Sequence, residues 1–154
     1  MSKPAELCEM ESVAKDKGCS RCERDSNNGE AFRCYSNTFK FNVDIARKFV
    51  EDGREKVLLD SDDVEYSIDR AEINEGHVPH VDPSIPGIIT HVFFPAEDGR
   101  VVHAHRLIDG HHRAVRCQQL GIPFYAFVLT EKESVAILER CPEGAKPAEF
   151  VDSF

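Results

Sequence analysis

No stretch of this chain is long and apolar enough to cross a bilayer as a helix. The longest apolar run, Phe124-Tyr125-Ala126-Phe127-Val128-Leu129, falls far short of the roughly 20 residues a spanning helix needs. The first residues, Met1-Ser2-Lys3-Pro4-Ala5-Glu6, lack the apolar core of a secretory signal. A cytoplasmic location with no membrane partner is therefore expected. Positive charge is also scarce: 19 Lys and Arg stand against 28 Asp and Glu, a net charge of −9. Duplex DNA binding rests on clustered cations that neutralise phosphates, so no duplex DNA partner is expected. A single basic pocket for a small phosphorylated ligand remains compatible with an acidic chain. No internal repeat interrupts the pattern.

What is present is ordinary for a soluble globular protein. The 154 residues are 41% hydrophobic and 31% charged, which fits one domain with a real core. Residues 1–37 differ from the remainder: apolar residues are sparse, and four of the six cysteines lie there, Cys8, Cys19, Cys22 and Cys34. Such a polar segment cannot offset its ordering entropy by burial, so a flexible, reduced leader is expected before a folded domain at 38–154. Without a secretory signal, reduced thiols or metal are favoured over disulfides. The two-residue gap in Cys19-Ser20-Arg21-Cys22 suits a shared tetrahedral metal, which makes zinc a candidate at these N-terminal cysteines.

From residue 42 onward the periodicity is that of a small α+β domain, a mixed sheet with helices. Val43, Ile45, Ala46, Phe49 and Val50 recur at helical spacing and predict a helix over 43–52, with Gly53 as its stop. Residues 57–59 read as a short strand. Residues 64–68 alternate like a second strand, with the acidic residues 60–63 as the turn between them. Three prolines and two glycines within 74–87 predict a long loop carrying His77 and His80. Strands are expected over 88–94 and 101–108, joined by a turn at Asp98-Gly99. A helix over 111–120 follows, with Gly121 as its cap and Pro123 blocking continuation. Residues 124–129 then read as a buried strand, and Thr130-Glu131-Lys132-Glu133 as a capping box that opens a helix to about residue 140.

The most informative stretch is Asp109-Gly110-His111-His112-Arg113, where a strand turns tightly into a helix. A helix N-terminus presents backbone N–H groups and a positive dipole end, which suit phosphate. Cations are disfavoured there by the same dipole, so three His and Arg residues on the first turn ask for a compensating anion. Gly110, His111, His112 and Arg113 are thus expected to bind the phosphate of an ATP-like nucleotide or a phosphorylated small molecule. If phosphoryl transfer follows, magnesium and a carboxylate are required. Asp109 is the nearest acid, with Glu72, Glu75 and Asp82 the other candidates.

The order strand, glycine turn, His/Arg-bearing helix, glycine stop, strand and capped helix over about 88–140 resembles the ParB/sulfiredoxin-like superfamily. Sulfiredoxin has Gly-Gly-Cys-His-Arg at this turn and a Gln-Gln-Leu further along the helix; this chain has Gly110-His111-His112-Arg113 and Gln118-Gln119-Leu120. ParB proteins carry Gly-Glu-Arg-Arg at the equivalent turn, and Asp-Gly-His-His-Arg looks like the motif of kinase-like members. The resemblance implies a ParB/sulfiredoxin-like fold and nucleotide binding. Gly110 would allow close backbone approach, and His112 and Arg113 would contact phosphate. His111 stands where sulfiredoxin has its catalytic cysteine, and imidazole cannot form that sulfur-linked intermediate. Asp109 and His111 are the candidate catalytic residues, for a small phosphotransferase or ATPase.

Two other readings stand beside this one. The chain would serve as a non-catalytic module that senses a nucleotide or joins a protein partner through its cysteine-bearing leader. Alternatively, the histidines carry a metal-dependent activity. All seven lie between His77 and His112, and strand alternation puts His103 and His105 on one face, as in a metal-binding β-barrel.

Overall fold

The computed structural model describes residues 30–35, 38–95, 98 and 100–142. The chain is α+β, and among the described residues its strands fall into two sheets. It divides into two units, one of 30–55, Ile88–Asp109 and 127–142, the other of Lys56–Gly87 and Gly110–Ala126.

In the first of these units, β1 (Ala31–Cys34), β2 (Phe39–Asn42) and β7 (Leu138–Arg140) make an antiparallel sheet in the order β1-β2-β7. Period-2 alternation sends Phe39 and Phe41 to one face, where both are buried. They pack with Ala46, Val92, Ile108, Leu129 and Ile137 in one core. Asn42 ends β2 and starts α1 (Val43–Phe49), its side-chain oxygen accepting from the Ile45 N–H at 2.9 Å. A single 3-10 turn, Val50–Asp52, carries α1 on to Gly53, so the expected helix and stop are present. β1 was not expected: it lies inside the anticipated leader, with Cys34 buried in the core. Burial pushes the Cys34 thiol up to about 11. Cys8, Cys19 and Cys22 lie outside the described residues.

The same unit holds the hairpin of β4 (Gly87–Pro95) and β5 (Val101–Asp109), an antiparallel pair with Val92 opposite Ala104 and Thr90 opposite Arg106. The hairpin is tied to the segment that precedes Thr130 by the Leu129 N–H, which donates to the Ile89 carbonyl at 2.9 Å. Thr130 then caps α4 (Glu131–Ala136) with a complete capping box. This helix is shorter than the sequence suggests, because Leu138–Arg140 leave it to pair with β2. Glu133 does more than close the box. Its carboxylate accepts from both terminal nitrogens of Arg54, at 2.8 and 2.7 Å.

The Arg54 hydrogen bonds, partly opposed by burial, hold the Glu133 carboxyl below the usual carboxylate range. A depressed folded-state pKa gives stability that is complete above the unfolded value of about 4.3 and is lost as pH falls through the folded one. Thermal unfolding followed from pH 7 to about pH 3 is therefore expected to show a shallower decline for Glu133→Gln than for the natural chain. Parallel curves would show that Glu133 is not a source of the acid sensitivity.

In the other unit, β3 (Val57–Leu59) pairs antiparallel with β6 (Phe124–Val128) through Leu58 opposite Tyr125. Residues 64–68, expected as a strand, belong to α2 (Ser61–Asp69). The acidic residues 60–63 are its start: Asp60 accepts from the Asp63 N–H at 2.8 Å, and acids in a first turn favour the dipole. Val64 and Ser67, three apart, are the buried residues, which is helical spacing. Residues 74–87 form the expected loop, with one 3-10 turn at Val78–His80. α3 (His111–Leu120) begins at Gly110 and ends at Gly121, both left-handed.

Candidate functional site

The start of α3 is built on a glycine crossing. Gly110 has φ +104, and a Cβ placed there would lie 2.9 Å from the Gly87 Cα and 3.1 Å from the Arg113 Nη2. Two backbones therefore meet where only glycine fits. Arg113 adds a hydrogen bond to the Pro86 carbonyl at 3.3 Å, which fixes the end of the proline-rich loop beside the turn. No side chain caps this helix, and its first turn contains no acid. One turn further, the Nε of Arg116 is buried with no hydrogen-bond partner among the described residues.

His112 takes a different part from the phosphate contact the sequence suggests. It is buried, and its Nε2 accepts from the Asn74 N–H at 3.0 Å. A ring nitrogen acting as acceptor carries no proton. The ring also meets His77 edge to face, with centroids 4.9 Å apart. His112 thus holds residues 74–80 against α3. Gly110, His111 and Arg113 stay at the helix start, His111 and Arg113 half-buried.

Asp109, the expected catalytic acid, is buried at the end of β5. Its Oδ2 and Oδ1 accept from the Nε and Nη2 of Arg47 at 3.0 and 2.9 Å. Glu30 also accepts from Arg47, at 2.7 Å. Hydrogen bonding to Asp109 raises the already high Arg47 pKa, so this is a fixed ion pair, with neither carboxylate oxygen left as a poised base. The other acids named above, Glu72, Glu75 and Asp82, are exposed. Asp82 accepts from the N–H and hydroxyl of Ser84.

The α3 helix also lines an apolar groove of about 210 Å³, walled by Leu58, Val64, Ala114, Cys117, Ile122 and Phe124. Cys117 is fully buried there, and burial pushes its thiol up from the ordinary range. That suits a packing residue rather than a nucleophile.

A separate cluster lies on the β4–β5 hairpin. His91 stands directly opposite His105 in the register, and His103 is two residues from His105 on the same face. The three ring nitrogens available as ligands lie within 4.8 Å of one another. Burial and the neighbouring rings hold His91 and His105 below the usual histidine range. The sequence pointed to His103 and His105; His91 completes the cluster only once the strands are paired.

Among the described residues, no helix is long and apolar enough to cross a membrane. Comparison of the chain with protein-family models, curated proteins and solved structures finds no match.

Proposed function

We propose that this protein binds a nucleotide, with its phosphates at the start of α3 and its base in the adjoining apolar groove. The observation that carries this is a helix start with no side-chain cap and no acid in its first turn, yet bearing His111 and Arg113. The dipole disfavours cations there, and a bound anion reverses that cost. Gly110 lets the backbone approach closely, and the crossing with Gly87 keeps it in place. Arg113 and Arg116 are i and i+3 on the helix and supply charge-assisted donors. Ala114, one turn from His111, already belongs to the wall of the groove. The order β5, Gly110, α3, Gly121, β6 is also the order on which the resemblance to ParB/sulfiredoxin-like proteins rests. Asp109 is tied to Arg47, so the proposal is one of binding, with phosphoryl transfer not assigned to these residues.

The test is thermal unfolding and calorimetric titration of the full chain with ATP, ADP and inorganic triphosphate. A ligand at about 100 times its Kd adds about 2.7 kcal/mol, a rise in Tm of roughly 5–11 °C for a chain of this size. Arg113→Ala is expected to weaken ATP by about 10–100-fold, the loss of a charge-assisted hydrogen bond, while the circular dichroism spectrum stays unchanged. ATP should bind more tightly than triphosphate because only ATP fills the groove. No Tm shift with any of the three would sink the proposal.

A further inference from the structure

We propose that His91, His103 and His105 bind one divalent transition-metal ion of the zinc class on the β4–β5 hairpin, through imidazole nitrogens alone. This rests on a different unit and different residues from the nucleotide proposal and stands or falls independently. Alternation fixes where the rings go. Thr90 and Val92 occupy the other face of β4 and are buried, at 0% and 1% exposure, so β4 cannot slip by one residue without bringing His91 into the core. The hairpin register then sets His91 against His105 and Phe93 against His103. The Phe93 ring lies nearly parallel to His103, with centroids 5.0 Å apart, and supports that imidazole from one side.

The result is three rings with centroids 4.5, 4.6 and 4.9 Å apart. His91 Nδ1 and His103 Nε2 are in direct contact, so at least one of the two must be an unprotonated acceptor, the form that binds metal. Tetrahedral zinc with nitrogens at about 2.0–2.1 Å needs its ligand atoms roughly 3.3 Å apart. The observed spacing, within 4.8 Å, closes to that by small rotations of side chains, two of which are exposed. Nothing in the packing asks for histidine at 103 or 105, since both are exposed. Three imidazoles leave a fourth position open to solvent, the arrangement of reactive rather than purely structural zinc sites. All-imidazole coordination suits zinc, copper, nickel and cobalt and disfavours magnesium and calcium.

The experiment is titration of the full reduced chain with cobalt(II), read by visible and near-ultraviolet absorption, and competition with zinc. One equivalent is expected to give ligand-field bands without a thiolate charge-transfer band, and zinc should displace it. His103→Ala and His105→Ala are each expected to weaken binding by more than about 100-fold, since loss of even an outer partner of a ligand costs about 10–100-fold. Both side chains are exposed, so the variants should fold, as their unchanged Tm without metal will verify. Absence of one-to-one binding overturns the proposal. So does binding that shows thiolate charge transfer and persists in the histidine variants, which would assign the metal to the cysteines.

Discussion

Arg47→Ala is expected to lower the Tm by about 6–12 °C. The change removes the guanidinium that donates from two nitrogens to Asp109, whose side chain is only 8% exposed. Breaking a buried pair from one side costs about 3–5 kcal/mol, because it leaves a desolvated carboxylate without its opposite charge from that side chain. Arg47 is itself 37% exposed, so water will reach part of the gap and about 3 kcal/mol is the better figure. Each kcal/mol moves the Tm of a chain this long by about 2–4 °C. The contrast is Arg100→Ala. Arg100 contacts Asp98 at 2.6 Å, closer than Arg47 contacts Asp109, but the two side chains are 79% and 53% exposed. A solvated pair of that kind contributes little, so its loss should leave the Tm nearly unchanged. Equal effects from the two variants would mean that burial of Asp109 is not what makes its ion pair matter.

That ion pair also marks the limit of what one sequence discloses. Asp109 and Arg47 lie 62 positions apart, and no periodicity joins them. Short-range signals served better. Asn42, Thr130 and Gly121 mark helix boundaries by their own chemistry, and the hairpin from β4 to β5 follows from two apolar runs around Asp98-Gly99. Residues 64–68 misled because five residues fit a period of 2 as well as one of 3.6; the deciding signal was Asp60, a capping residue three before Asp63. β7 was hidden because three residues cannot declare a period, and only pairing with β2 makes Leu138–Arg140 a strand. Two features of the candidate sites were legible without being used. His112 falls three before Val115 on the buried stripe of α3, which already pointed inward. In the hairpin, counting back from the turn sets His91 opposite His105, so the third imidazole was available to arithmetic.

Gly110→Ala should be the second large loss, and Gly121→Ala shows why. Both glycines are left-handed, at φ +104 and +70, and both bound α3. An alanine at 121 would meet nothing within 4 Å, so its cost is the conformational one, about 1 kcal/mol. An alanine at 110, at a φ further from the left-handed helical value, has a larger backbone cost and a second one. Its Cβ would lie 2.9 Å from the Gly87 Cα, and a backbone atom at the start of β4 cannot rotate aside as a side chain would. Forcing the two apart is overpacking, worth about 1–3 kcal/mol, added to about 1–3 kcal/mol for the unfavourable backbone angle. Denaturant unfolding should therefore place Gly110→Ala about 2–6 kcal/mol below the natural chain and Gly121→Ala within roughly 1 kcal/mol of it. The same displacement moves the N–H groups that begin α3, so nucleotide binding should fall further at Gly110→Ala than the lost stability alone explains when titrated well below the Tm. If the two alanines prove equally costly, the crossing of Gly87 and Gly110 does not constrain the turn. The start of α3 would then lose the rigidity that a phosphate site needs.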